Sequence, residues 1–321
     1  MTADALPTGP ADSGVGRTAE HWGQMAQVAA NERRDVSWLD SKLVQRLYIH
    51  PTIGGDPDRN WLAYFKRRHL PETVPRGLTI GCGDGGLERH GAALGLCGHY
   101  DAFDVSPGAI EIAQAAAAKA GIDIVTYAVR DLNHAVFERE RYDVAFSSMA
   151  LHHIENLEHL FEQVRAALKP GGLFVFSEFV GPDRFQWTRR QLIAINLVLT
   201  LLPPRLRRSL TDGRIKRAVR RPTVEAMIQT DPSEAVRSSA ILPLAERYFR
   251  IIERIDYGGT ILHMLLHDII GNFRAENRRD LAALRAIFAL ERWLLDRKIL
   301  SSDFTMVVAC LPERGPGHAG S

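Results

Sequence analysis

Across the middle of the chain, short apolar runs alternate with longer segments whose apolar positions recur at helical spacing. The runs near residues 78–80, 100–103, 124–129, 144–147 and 173–178 have the length and composition of buried strands. Between them, residues 87–94, 107–120 and 157–168 read as helices. The second of these has Ser106 as N-cap, Pro107 in its first turn and Gly121 as its stop. Such alternation predicts a parallel sheet covered by helices on both faces. Later, 250–255 and 304–310 read as two more strands, separated by helices over 260–273 and 278–298. Upstream, 19–47 reads as helical, with Trp22, Met25, Val28 and Ala29 at i, i+3, i+4 spacing and a second short helix starting at Ser37-Trp38-Leu39. Residues 61–70 form another amphipathic helix. Pro51-Thr52-Ile53-Gly54-Gly55-Asp56-Pro57, with two glycines and two prolines, reads as a loop. Asp231-Pro232-Ser233 reads as a capped helix start leading to Arg237. Residues 1–16 read as a disordered tail and those from Pro312 as a loose one.

The chemistry concentrates where the first of these strands ends. Gly81, Gly83 and Gly85 fall at alternate positions of Leu78-Thr79-Ile80-Gly81-Cys82-Gly83-Asp84-Gly85-Gly86. Glycines there permit a sharp turn and close approach of backbone to a ligand. A helix beginning after them would offer free N–H groups and the positive end of its dipole. The second strand ends in Asp104, about twenty residues on, where an acid suits the two hydroxyls of a ribose.

These residues resemble the class I S-adenosylmethionine (SAM) dependent methyltransferases over residues 76–181, with the last strand near 303–310. The first motif of that family resembles residues 78–85. The ribose acid resembles Asp104, with Val105 beside the adenine. Asp131-Leu132-Asn133 resembles the motif whose acid meets the adenine amino group. Tyr142 to Ser147, running through Met149 into Ala150-Leu151-His152-His153, resembles the fourth motif, and Leu168-Lys169-Pro170-Gly171-Gly172 the turn before the fifth strand. One position departs: the family carries an acid two residues before the first glycine, and this chain has Thr79. A threonine hydroxyl could accept from the methionine ammonium group, or Asp84 could supply the charge. The resemblance implies an α/β fold with a Rossmann-like seven-stranded sheet, SAM as cofactor and S-adenosyl-L-homocysteine as product. It places Thr79, Gly81, Cys82, Gly83, Asp84, Gly85, Asp104, Val105, Asp131, Leu132 and Met149 around the cofactor. It divides the chain into a tail (1–16), an N-terminal helical cover (17–75), the SAM-binding core (76–181), an inserted helical lid (182–247), a return to the core (248–311) and a tail (312–321).

Composition narrows the partners. The chain has 321 residues, 45% hydrophobic and 24% charged, with a net charge of +2, too small to argue for nucleic acid. Three cysteines, Cys82, Cys97 and Cys310, have no metal spacing and suit a reducing cytoplasm. No basic-then-apolar leader opens the sequence, and the apolar stretch 192–202 is well short of the ~20 residues that span a bilayer. The expected location is cytoplasmic; the oligomeric state is open, a homodimer included. Residues 181–221 carry eleven Lys or Arg against Asp183 and Asp212. This basic face is either simply solvated or attracts an anion such as a nucleotide-linked sugar, a lipid-linked glycan or an acidic lipid surface.

His152 and His153 follow the fourth strand and are the candidate general bases, since imidazole titrates near neutral pH. Glu178, ending the fifth strand, is a candidate for a substrate hydroxyl or amine, or for a lid arginine. Trp187 could stack on a sugar ring; Arg184 and Arg237 could meet a phosphate or carboxylate. His263 and His267, four apart, could line the substrate pocket, be structural, or be half of a metal site that lacks a third ligand; no metal is expected. The expected reaction is O-methylation of a small molecule or glycan. The alternatives are N-methylation, methylation of protein or nucleic acid, a non-catalytic SAM-binding regulator, and, for the glycine turn alone, a NAD-dependent dehydrogenase. Ser147-Ser148-Met149-Ala150, in place of an Asn/Asp-Pro-Pro-Tyr motif, argues against exocyclic base amines.

Overall fold

The computed structural model describes residues 16, 18–20, 23 and 36–311. Seven strands form one sheet: β1 (Val74–Ile80), β2 (Cys97–Asp104), β3 (Val125–Val129), β4 (Tyr142–Ser148), β5 (Leu168–Phe179), β6 (Arg250–Gly258) and β7 (Phe304–Cys310). Their order is β3-β2-β1-β4-β5-β7-β6, and β7 alone runs antiparallel to both neighbours. This is the expected seven-stranded Rossmann-like class I sheet. The order reverses between β1 and β4, which opens a crevice at their carboxyl ends.

The sheet is central because its strands are apolar on both faces. On one face Leu78, Ile80, Ala145, Phe174 and Phe176 meet Leu157, Leu160, Phe161 and Val164 of the helix Leu157–Ala167. Phe161 touches Phe174, Tyr248 and Phe249 edge-on. Each such fully buried side chain contributes roughly 1.5–3 kcal/mol of transfer free energy. On the other face Tyr100, Phe146 and Val175 pack with Trp38, Phe65 and residues of the long helix Arg278–Asp296. The helices Gly86–Ala93 (α1) and Pro107–Lys119 (α2) flank the crevice. Ser106 caps α2 through Ala109 N–H at 3.3 Å, as the sequence indicates.

Several local expectations are corrected. Pro51 and Gly54 lie inside a helix, His50–Gly54, not in a loop. Pro51 stands in its first turn, after a π-helical stretch (Gln45–Ile49), where no donor is missed, and Gly55 ends it at φ +74°. Residues 37–40 are a turn, not a helix start. The stretch 232–237 is also a turn: Asp231 Oδ1 accepts Ser233 N–H at 2.8 Å and its hydroxyl at 2.7 Å, so the local bonds close an Asx turn rather than a cap. The helix expected over 260–273 is broken into Leu262–Leu266 and a 3₁₀ turn, Ile270–Asn272, with Asp268 between them at φ +63°. Trp22, Met25, Val28 and Ala29, and all but the last residue of the N-terminal tail and the whole C-terminal tail, lie outside the described residues.

The apolar stretch after Gln191 forms the helix Arg189–Leu201, opened by a Thr188–Gln191 capping box. Ile195, Val198 and Leu199 face inward, whereas Ile193, Leu197 and Leu201 are 58%, 60% and 76% exposed. Among the described residues no helix is long and apolar enough to cross a membrane.

Candidate functional site

A cavity of about 620 Å³ opens at the carboxyl ends of β1, β2, β3 and β4. Its floor is the glycine turn. Gly81, Gly83 and Gly85 all have positive φ, +67°, +53° and +77°, which side chains rarely adopt. A Cβ on Gly81 would lie 2.2 Å from that of Ala150, across the β1–β4 crevice, and one on Gly85 would lie 2.5 Å from the Tyr127 hydroxyl. A Cβ on Gly83, which lines the cavity, would meet nothing within 4 Å. Asp104, at the end of β2, is tied to this turn: its Oδ2 accepts Gly83 N–H at 2.9 Å and its Oδ1 accepts Ser106 N–H at 2.9 Å. Burial pushes the Asp104 carboxyl above its ordinary value, although these N–H groups and that of Val105 favour the charged form. Asp131 likewise bonds its own loop, accepting Asn133 N–H at 2.9 Å, and Asn133 in turn accepts from Glu155 and Asn156.

Gly81, Cys82, Gly83, Asp84, Asp104, Val105, Asp131, Leu132 and Met149 line the cavity. Gly85 shapes the turn without lining it. Thr79 is the correction: it is fully buried on β1 and does not reach the cavity. Met149 takes φ +53°, held by its N–H to Ser177 O at 2.9 Å, so strain sits at the rim where β4 ends.

The two histidines after β4 have different roles. His152 is turned inward and buried, its Nδ1–H donated to Glu178 Oε1 in a very short contact. Glu178 is fully buried and also accepts Ala150 N–H at 2.9 Å, Leu151 N–H at 2.7 Å and Phe179 N–H at 2.6 Å. Neither side chain lines the cavity. Glu178 is therefore a strut for the β4 turn, not a substrate ligand exposed on the rim. Burial alone would lower the His152 pKa, but the charges of Glu178, Glu234 and Asp231 outweigh it and hold it above its ordinary value. His153 does line the cavity, its ring 4.0 Å from that of His152 between centroids. Its Nδ1–H is donated to Ser233 Oγ at 3.0 Å, and that hydroxyl donates to Asp231 Oδ1 at 2.7 Å.

The remaining candidates are placed elsewhere. Arg237 is bidentate to Glu158 at 2.6 and 2.7 Å and is thereby committed within the protein. Arg184 donates to the carbonyls of Pro232 and Glu234. Trp187 is buried, stacked on Phe185 at 5.1 Å, and His263 packs edge-on against Phe179, Phe185, Trp187 and Phe304. These aromatic contacts make His263 part of the packing. His267 lies at the exposed end of its short helix and is not part of the cavity. The Cys82 thiol, driven far up in pKa by burial, is a small wall residue and not a reactive one. Sequence reasoning gave no site role to Glu234. Glu234 approaches His152 Nε2 at 3.6 Å across 82 residues of chain, a distance no local pattern encodes.

Residues 78–176 match the family described as "Methyltransferase domain". The chain carries a class I, SAM-dependent methyltransferase domain. The ubiquinone biosynthesis O-methyltransferase of Methylobacterium nodulans is 32% identical over 162 residues, 46% of this chain and 60% of that protein. The chain thus spans less than two thirds of that relative's length. The crystal structure of the geranyl diphosphate C-methyltransferase of Streptomyces coelicolor superposes with a TM-score of 0.52 at 13% identity, covering 95% of this chain and 100% of that one. The [4+2]-cyclase SpnF superposes at 0.53 with 14% identity, covering 94% and 98%. At such identities these two establish the fold alone. The cavity of the methyltransferase domain suits SAM: the glycine turn leaves backbone bare at the floor, and Asp104 is held with lone pairs to spare beside the apolar Val105 and Leu132. The volume lies within the roughly 300–1,000 Å³ of small-ligand pockets.

Proposed function

We propose that the protein transfers the methyl group of SAM to a hydroxyl of a small molecule, or of the end of a glycan, with His153 as general base. SAM supplies a methyl group activated by its sulfonium charge. Asp104 would hold the ribose, with Val105 and Leu132 against the adenine and Asp131 near its amino group. The observation that carries the reading is that His153 shares one cavity with this set while its other nitrogen is fixed by Ser233 and Asp231. Donating Nδ1–H puts the imidazole lone pair on Nε2; that atom is buried in this structure, so an acceptor hydroxyl must displace the wall over it to reach it. Trp61, Leu62, Leu87, Ile154 and Val236 give the rest of the cavity an apolar wall.

Two segments would close the acceptor side. Asn60, Trp61 and Leu62 come from before the core, and Pro232, Ser233 and Val236 from the insertion 182–247. A relative named as an O-methyltransferase supports oxygen as the acceptor. A carbon acceptor is the second reading, favoured by the sterol 4-C-methyltransferase of Caenorhabditis elegans, 31% identical over 104 residues, 32% of this chain and 30% of that protein. An anionic acceptor would have to use Arg189, Arg190, Arg217 or Arg220, which pair with no carboxylate among the described residues; Arg184 and Arg237 are committed internally. The free, buried Cys82, Cys97 and Cys310 suit a reducing, cytoplasmic setting.

Positioning supplies the larger part of the rate, roughly 7–11 kcal/mol of barrier, and a base typically 10²–10⁴-fold. His153→Ala should therefore lower kcat about 100-fold or more while the SAM dissociation constant stays the same. Full turnover in that variant would remove the base from the mechanism and leave positioning alone.

A further inference from the structure

The helix Arg189–Leu201 shows the solvent a face that the cavity does not use. Its inward side is buried, and Gln191 fixes it to the fold, donating to Thr260 Oγ1 at 3.0 Å and to Asp303 Oδ2 at 2.9 Å. The opposite side carries Ile193, Leu197 and Leu201, four residues apart and therefore on one ridge. At 1.5 Å per residue the ridge runs for about 12 Å. Single exposed apolar side chains are ordinary, but three in series mark a contact surface. Arg189 opens the same ridge, and Arg190 and Thr200 share its face, all three exposed. The helix contains no acid.

The chain beside this helix adds positive charge. Asn196 donates to Val219 O at 2.9 Å and accepts Val219 N–H at 2.7 Å, which holds residues 217–220 against the side of the helix. Arg217 and Arg220 are exposed there. Other basic groups of the insertion are committed within the protein: Arg205 pairs with Asp280, and Lys216 and Arg221 donate to backbone carbonyls. Between residues 184 and 224 the only acid is Asp212, which Arg214 approaches at 3.8 Å. The apolar ridge is thus bordered by positive charge alone.

We propose that this face docks on an anionic lipid surface, with the ridge in the boundary between headgroups and acyl chains and the arginines on the lipid phosphates. The helix has 13 residues. At about 20 Å it is too short for a hydrocarbon core of about 30 Å, so it lies in the plane of the surface. The chemistry favours lipid over other occupants. A second copy of this chain would set positive face against positive face, with no acid to meet it. Folded partners centre on aromatic anchors seated in pockets, whereas this ridge is aliphatic and stands out from the surface, a form that a fluid layer accepts. The inference stands on this face alone and does not depend on what the cavity methylates.

The test is flotation of the full chain with vesicles of phosphatidylcholine alone and of phosphatidylcholine mixed equally with phosphatidylglycerol. The protein should float with the mixed vesicles and not with the neutral ones. Raising salt from about 0.1 M to about 1 M, which shortens the screening length from about 10 Å to about 3 Å, should weaken the binding. Ile193→Ser, Leu197→Ser and Leu201→Ser together should weaken it roughly 100-fold or more, at an unchanged melting temperature. Leu197→Ser alone should cost several-fold, which keeps the comparison if the triple variant folds poorly. Arg189→Gln with Arg190→Gln should weaken it roughly 10–30-fold. No flotation, or equal flotation with both vesicles, would overturn the proposal. So would loss in the arginine variant with full binding in the serine variants, the mark of diffuse electrostatic adsorption. A chain that ignores vesicles but sediments as a dimer, made monomeric by the three serines, would assign the face to a second copy and overturn it as well.

Discussion

Gly83→Arg should leave a folded chain that no longer binds SAM. The residue sits at φ +53° in the cavity lining and a Cβ there meets nothing within 4 Å, so the fold has room for a side chain that would compete with the cofactor for the cavity. The backbone cost of a side chain in that region is about 1–2 kcal/mol, which a domain of this size tolerates. A guanidinium filling the cofactor's place costs the whole affinity. Asp104→Ala is the finer companion. On the proposed reading it removes the acceptor for two ribose hydroxyls, and it leaves Gly83 N–H and Ser106 N–H without their partner. Hydrogen bonds to charged groups are worth about 1.5–3 kcal/mol each, so the loss of two predicts affinity weaker by roughly 10²–10⁴-fold. Calorimetry for binding and differential scanning fluorimetry for folding check both. Wild-type affinity in the two variants together would move the cofactor elsewhere.

Glu178→Ala should lower the unfolding free energy by about 3–5 kcal/mol. The fully buried carboxylate accepts three backbone N–H groups and His152 Nδ1–H, and its removal orphans them all while leaving His152 buried among Glu234 and Asp231. The loss should depend on pH. The folded-state pKa of His152 is raised, so the stabilisation that this histidine gains is fully present below about pH 6.5, the unfolded value, and fades as pH rises through the folded one. Urea melts at pH 6 and pH 9 should therefore differ, with the larger deficit of Glu178→Ala at pH 6. An unchanged midpoint at both would contradict the strut.

What the sequence made legible is what neighbouring residues decide. The glycine turn, Asp104 at the end of β2 and the Ser106 cap depend on residues within a few positions, and the apolar runs locate the strands to within a few residues. Alternation predicts a parallel sheet covered on both faces, whereas the strand order and the antiparallel β7 are seen only in the structure. What stayed hidden are partnerships across the chain. Arg237 and Glu158 are 79 residues apart, and His153 and Ser233 are 80 apart. Nothing near Arg237 says that its fork is already filled. Glu178 looked like a rim acid because it ends a strand there, but the β4 turn folds its N–H groups over that carboxylate and takes it out of reach. Pro51 misled for another reason: a preceding π-helical turn lets a proline begin a helix where sequence rules place a loop. Thr79 drew attention as a replacement ligand, but its side chain is fully buried on β1 and does not reach the cavity.

The central claim is methyl transfer from SAM to a small acceptor, and label transfer tests it most directly. The protein and its His153→Ala variant are incubated with methyl-labelled SAM and a fractionated extract of the cells it comes from. The account predicts that the wild type moves label into the small-molecule or glycan fraction, as a methyl ether, and that the variant does so about 100-fold more slowly or worse. Label found only in protein or nucleic acid, or none at all while SAM remains bound, would contradict it.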